Sequence, residues 1–207
     1  MFFNRNGISA MAAKTKIDVF EESTTTLAEY ARIPIAYEVS QILAVEADGH
    51  SGFALSKHSI DAPYMKDYDA NKEEGPAQWA RRFDMSNWTL FAAYREGRRV
   101  GGAAIAFKTA DIDMLEGRED IAILWDIRVT PEARGNGVGS ALFQAAEVWA
   151  KAKGCKQLKV ETQNINVPAC GFYEAQGCVI GSIRHFAYPE FPEEIQILWY
   201  KDLVRSV

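Results

Sequence analysis

Three glycines, Gly135, Gly137 and Gly139, alternate in the stretch RGNGVGSALFQAAEVWAKAKG, and an apolar run of helical period follows at once. The first N–H groups of a helix have no partner inside it, and the aligned peptide dipoles put partial positive charge there. Glycines strip Cβ atoms from the approach, so such a backbone can close on a phosphate. Arg134 at the head of the loop adds a fork of donors. The spacing is neither the G-x-x-x-x-G-K-[ST] of a nucleoside-triphosphate loop nor the G-x-G-x-x-G that opens a dinucleotide-binding βαβ unit. A tight glycine turn without a ligand is the competing reading.

Two carboxylates stand in apolar strands: Asp126 in IAILWDIRV and Glu161 in QLKVETQ. A carboxylate there is costly unless it is paired or used. His185 is a third candidate, although a lone strand histidine is more often packed than catalytic; His50 and His58 carry no pattern. On helical periodicity alone Tyr173 reads as a core aromatic. The acidic loop of Asp111, Asp113, Glu116, Glu119 and Asp120 reads first as a solvated charge run and second as a device for steering a polycation. Cys155, Cys170 and Cys178 form no CxxC pair and no metal-ligand spacing, so they read as small buried apolar residues of a reduced chain.

Elements must hold these residues. From Trp88, WTLFAAY and VGGAAIAFK flank the turn REGRR as a hairpin, and residues 121–129 make a third strand. Val138, Leu142, Ala145, Trp149 and Ala152 draw one apolar helix stripe, Glu147 and Lys151 form an i,i+4 pair, and Gly154 stops the helix. QLKVETQ is a strand. Asn166 is an N-cap, Pro168 suits a first helical turn and Gly177 ends that helix. CVIGSIRHFAY and EIQILWYKDL are two closing strands. The order from Trp88 is β-β-β-α-β-α-β-β, a mixed α/β pattern. Upstream, residues 16–20 read as a strand, 24–33 as a helix limited by Pro34, ILAVEADG as an apolar run ending in a turn, and 59–87 as loop with short helix. Residues 1–15 read as a loose arm and 16–207 as a single domain.

The chain has 207 residues, a one-domain length, and 48% hydrophobic residues exclude global disorder. A formal net charge of -5 argues against a nucleic-acid partner and suits a cationic small substrate. No signal-peptide h-region is visible and no apolar run reaches roughly 18 residues, so the expectation is a cytoplasmic chain without a membrane span.

At this point the motifs carry a resemblance. RGNGVG (134–139) fits the Q/R-x-x-G-x-G/A signature of the GCN5-related N-acetyltransferase (GNAT) superfamily. NVPACGFYEAQGC (166–178) resembles that family's second signature, with Cys178 where a Phe is usual, and WYKDL resembles its last strand. The match covers residues 88–203. PYMKDYD, NWTLFAAY, LWDIRVTPEARGNGVGSALF and VETQNINVPACGFYEAQGCVIG are similar to the streptothricin acetyltransferase branch.

The resemblance implies an α/β fold with a mixed, mostly antiparallel sheet, splayed central strands and flanking helices. It implies acetyl-CoA as co-substrate and no metal. The pyrophosphate is expected on Arg134, Gly135, Asn136, Gly137, Val138, Gly139 and Ser140, and the pantetheine arm along the backbone of Ile127, Arg128 and Val129, with Asn166 on its other side. An ammonium must lose a proton before it attacks a thioester, and the ordinary lysine pKa is about 10.4. By resemblance Tyr173 is the acid that protonates the leaving thiolate. Either Asp126 or Glu161 could hold the ammonium or take its proton; by placement alone Asp126 is expected to hold the ammonium and Glu161 to act as base. The implied function is N-acetylation of a primary amine on a small cationic molecule, of streptothricin type. The alternatives are a protein or peptide amine, or a non-catalytic CoA-binding module. A homodimer is left open.

Overall fold

The computed structural model describes residues 16–47 and 53–204. The expected arm at 1–15 lies outside the described residues. β1 (Asp18–Glu22) leads through a 3-10 turn (Thr24–Thr26) into the single-turn α1 (Leu27–Tyr30). A hairpin of β2 (Tyr37–Ala47) and β3 (Phe53–Lys66) follows, then α2 (Pro76–Arg82). The remaining elements are β4 (Thr89–Arg95), β5 (Arg98–Phe107), β6 (Ile121–Val129), α3 (Val138–Ala152), β7 (Gln157–Gln163), α4 (Val167–Ala175), β8 (Val179–Arg184) and β9 (Gln196–Asp202). Their order is the β-β-β-α-β-α-β-β expected from Trp88.

The seven-stranded sheet runs β1-β4-β5-β6-β7-β9-β8. Neighbours are antiparallel except β6 and β7, which are parallel. This is the mixed, mostly antiparallel sheet of the sequence reading. α3 and α4 cover one face, where Leu142, Phe143, Ala146, Tyr173 and Trp199 are buried together. α1 and α2 cover the other, with Tyr30, Trp79, Trp88 and Leu90. Burying a large apolar side chain contributes about 1.5–3 kcal/mol, so each face is held by several such residues.

Four expectations need correction. β3 runs through 59–66, which read as loop; most of its residues are exposed, so no apolar alternation marks it. The first strand lies at Asp18–Glu22 rather than at 16–20. On α3 the buried set is Val138, Leu142, Phe143, Ala146, Trp149 and Ala150, while Ala152 is exposed, so the stripe is rotated toward Phe143. Glu147 lies 3.9 Å from Lys201 of β9 rather than pairing along its own helix, because α3 packs its flank against the sheet.

Candidate functional site

The sheet opens at its middle. β6 and β7 pair only at Ile121↔Gln157, Ala122↔Leu158 and Ile123↔Lys159, after which the strands diverge. The register between β5 and β6 also slips: Ile105 faces Leu124 and Ala104 faces Asp126, leaving Trp125 as an extra residue. Such a bulge re-aims side chains. Ile123 packs on the α1/α2 face and Leu124 on the α3/α4 face. Beyond them Trp125 and Asp126 both turn to the α1/α2 face, where Trp125 meets Trp79, Phe83 and Trp88 and Asp126 meets Tyr30.

Backbone direction follows from one hydrogen bond. The Thr130 N–H donates to the Val100 carbonyl at 2.9 Å. By antiparallel alternation Arg128 and Asp126 also turn their backbone groups to β5, while Ile127 and Val129 turn theirs to the opening. Arg128 therefore departs from the expected trio: its peptide groups are committed to β5, and its side chain is buried. The Val129 carbonyl accepts from Arg134 Nε at 3.1 Å.

The glycine loop joins this opening to α3. Gly135 and Gly137 take φ of 72° and 85°, the left-handed region that favours glycine. A Cβ at Gly139 would meet Phe172 of α4 at 3.2 Å, so that glycine serves the approach of the two helices. No side chain caps α3. Among the described residues, the N–H groups of Val138, Gly139 and Ser140 have no acceptor. Arg134, besides Val129, donates through Nη2 to the Ala36 carbonyl at 3.0 Å, tying the loop to the chain before β2. Asn136 donates to the Arg134 carbonyl at 2.9 Å, and the Ser140 hydroxyl accepts from Gln176 at 3.2 Å.

A cleft of about 980 Å³ runs from this loop between β6 and β7 to the α1/α2 side. It is lined by Ile127, Gly135, Gly139, Ser140, Glu161, Asn166 and Tyr173, and farther along by Asp69, Glu74, Trp79, Trp125 and Asp126. Tyr173 is buried on α4, and among the described residues its hydroxyl has no hydrogen-bond partner. Burial, then the nearby charge of Asp126, raises its pKa far above the ordinary phenol value, so it keeps its proton at neutral pH. Asn166 caps α4 by accepting from the Ala169 N–H at 3.2 Å.

Glu161 sits half-buried on β7 and accepts from the Tyr188 hydroxyl at 2.7 Å. Tyr188 accepts in turn from Gln163 Nε2 at 3.0 Å, and Gln163 Oε1 accepts from Tyr68. This chain fixes the direction of the Tyr188 proton and holds one Glu161 oxygen.

Asp126, which its apolar strand required to be paired or used, is paired. It accepts from the Tyr30 hydroxyl at 2.7 Å and from Arg128 Nη2 at 2.8 Å. Arg128 in turn grips Asp69. Burial opposes the guanidinium charge, but Asp126 and Asp69 outweigh it and keep the pKa raised. Tyr30 reaches Asp126 over Gly102, where a Cβ would lie 2.8 Å from the ring. His185 is exposed and follows β8, away from the cleft lining. Of the acidic loop, Glu116 pairs with the buried Lys159, Glu119 with Lys108 and Asp120 with Arg118. Among the described residues no group of three His, Cys, Asp or Glu side chains could hold a metal ion, and no helix is long and apolar enough to cross a membrane.

Tyr30, Asp69, Trp79, Trp125 and Tyr188 escaped the sequence reading. The usable signals were PYMKDYD and LWDIRVTPEARGNGVGSALF, quoted for their resemblance, which contain Asp69 and Trp125.

The chain is similar to known proteins. The sequence model of the acetyltransferase (GNAT) family matches residues 55–178. Streptothricin acetyltransferase A of Bacillus subtilis (strain 168) is 42% identical over 157 residues, 72% of this chain and 79% of its own. Streptothricin acetyltransferase of Escherichia coli is 30% identical over 154 residues, 72% of this chain and 76% of its own. Among solved structures, nourseothricin acetyltransferase superposes with a TM-score of 0.70 at 21% identity, covering 91% of this chain and 99% of that one. A Bacillus anthracis str. Ames structure in complex with acetyl coenzyme A superposes with a TM-score of 0.73 at 23% identity, covering 90% of this chain and 99% of that one. These two likenesses concern the fold.

Proposed function

The chain belongs to the acetyltransferase (GNAT) family and is an acetyl-CoA-dependent N-acetyltransferase, and from that premise we propose that its acceptor is a primary amine of a small cationic molecule of the streptothricin type. The observation that carries this acceptor is the 42% identity to streptothricin acetyltransferase A, spread over 72% of the chain. The acidic cleft wall of Asp69, Glu74, Asp126 and Glu161 supports it. Neither protein or peptide amines nor a non-catalytic CoA-binding module is favoured by these relatives. Three free, buried thiols suit action in the reducing cytoplasm. Residues 16–207 are taken as one catalytic domain.

The residues present fit acetyl-CoA. The uncapped N–H groups at Val138, Gly139 and Ser140, with the open backbone at Gly135 and Gly137, would hold the pyrophosphate. Ile127 and Val129, turned to the opening, would pair with the pantetheine amides as an added strand, and Asn166 would meet them from α4. When bound, the co-substrate supplies an activated acetyl group as a thioester. The Ile127 N–H, turned to the opening, would donate to the thioester carbonyl oxygen as negative charge develops there. Glu161 takes a proton from the ammonium with its uncommitted oxygen, directly or through water. Tyr173, kept protonated by burial, donates to the departing thiolate. Asp126 acts through Arg128 and Tyr30 rather than as a free base.

The test is CoA release over streptothricin, lysine amide and a peptide with a free N-terminus. Turnover should be greatest with streptothricin; activity on the peptide alone would overturn the acceptor. Acetyl-CoA at a hundredfold excess over its Kd should stabilise the folded enzyme by about 2.7 kcal/mol. Gly137→Asp, which sets a carboxylate against the pyrophosphate, should abolish that thermal shift; an undiminished shift would move the phosphate site elsewhere.

A further inference from the structure

Arg128 lies between two carboxylates, its side chain 1% exposed. Every N–H of its guanidinium is used. Nε donates to Asp126 at 3.0 and 3.1 Å; Nη2 donates to Asp126 at 2.8 Å and to Asp69 at 2.9 Å. Nη1 donates to Asp69 at 2.5 Å and to the Ile33 carbonyl at 3.3 Å. Two carboxylates against one guanidinium leave a surplus of one negative charge. A partly buried surplus charge calls for a counter-charge.

The two carboxylates are not equivalent. An ionised carboxylate has about four lone-pair sites. Asp126 fills its own: Oδ1 accepts from Tyr30 and Arg128 Nε, and Oδ2 from Arg128 Nε and Nη2. Its side chain is 8% exposed. Asp69 accepts a single donor on each oxygen, and its side chain is 28% exposed along the cleft. The surplus charge is therefore presented to the cleft by Asp69. Trp79 and Trp125 line the same end, offering aromatic faces that also attract cations. Glu161, by contrast, lies on β7, across the splayed opening from the strand that carries Arg128.

We propose that Asp69 is a specificity-determining residue that binds a second, non-reacting cation of the acceptor, so that the enzyme selects amines carrying two positive charges. This rests on the cationic-amine reading above. The amine that reacts is taken up beside Glu161 and Tyr173, while Asp69 holds the other ammonium and leaves it unacetylated.

The experiment compares kcat/KM for lysine amide, a dication, with its Nα-acetyl and Nε-acetyl derivatives, each a monocation with one free amine. Wild type should prefer the dication by on the order of tenfold to a hundredfold, through KM, as expected for one charge-assisted contact. Asp69→Asn should bring that ratio close to one while leaving the KM for acetyl-CoA unchanged, and Asp69→Glu should restore most of it. A purely structural role would slow both classes of acceptor alike and leave the ratio intact; that outcome overturns the proposal. Thermal melting checks that each variant is folded, and the wild-type ratio needs no variant. A wild-type ratio near one overturns the subsite but leaves the amine reading standing. No acetylation of any cationic amine overturns both.

Discussion

Tyr173 and Asp69 mark the two limits of what single residues disclose. Tyr173 was singled out because it sits in a local motif, FYEAQG, whose helix and cap lie within a few residues. Its assignment predicts that Tyr173→Phe, which removes only a hydroxyl, lowers kcat by roughly 10²–10⁴-fold with little change in KM for acetyl-CoA. Steady-state kinetics with a good amine checks this; turnover within about threefold of wild type would withdraw the role. Asp69 was not legible because its partner Arg128 is 59 positions away, and the Tyr30–Asp126 bond spans 96. No local spacing encodes such bonds. Asp126 shows the same blindness from the other side: the strand pattern said that it must be paired or used, but only the fold shows that it is paired. The cysteines were legible by composition. Burial raises Cys170 and Cys178 to about 11, so near pH 8 almost no thiolate exists. A chromogenic disulfide reagent should leave these thiols unmodified in the native protein and titrate them promptly in denaturant.

Among the elements, those with at least one dry face were read well, and β3, which has none, was not. β6, buried on both faces over Ile121, Ala122, Ile123 and Leu124, announced itself as an apolar run. β3 did not: exposed residues dominate it, and Pro63 reads as a strand breaker. The rotation of α3 was hidden because Ala145 and Ala146 look alike in sequence, and only packing decides which faces the sheet. β5 carries a feature whose purpose appears only in contact: a Cβ at Gly102 would lie 2.8 Å from the Tyr30 ring. Gly102→Ala should therefore push α1 off the sheet, weaken the Tyr30–Asp126 bond and cost about 1–3 kcal/mol. Urea denaturation measures this, and a loss below about 0.5 kcal/mol would mean that Tyr30 can yield.

The whole molecule has a pH limit set by its buried acids. Unfolded thiols ionise near their ordinary value of about 8.5. Folded Cys170 and Cys178 hold their protons to about 11, and Tyr68, raised by burial, to about 12. Folded pKa values above unfolded ones mean that the unfolded state releases protons first as pH rises. Stability present below about pH 8.5 should thus decline toward pH 11, seen as a falling urea midpoint. A flat midpoint across that range would contradict the burial. One further consequence belongs to the sheet as a body. β6 is the fourth of seven strands, where amide protons ordinarily exchange with solvent most slowly. Yet it pairs with β7 through only three residues. The protons of Ile127 and Val129 should therefore trade with deuterium at the pace of a margin, while those of Asp126 and Arg128, turned to β5, keep theirs. A deuterium clock run along β6 would tick in alternation, fast and slow by turns, and saturating acetyl-CoA would silence the fast half.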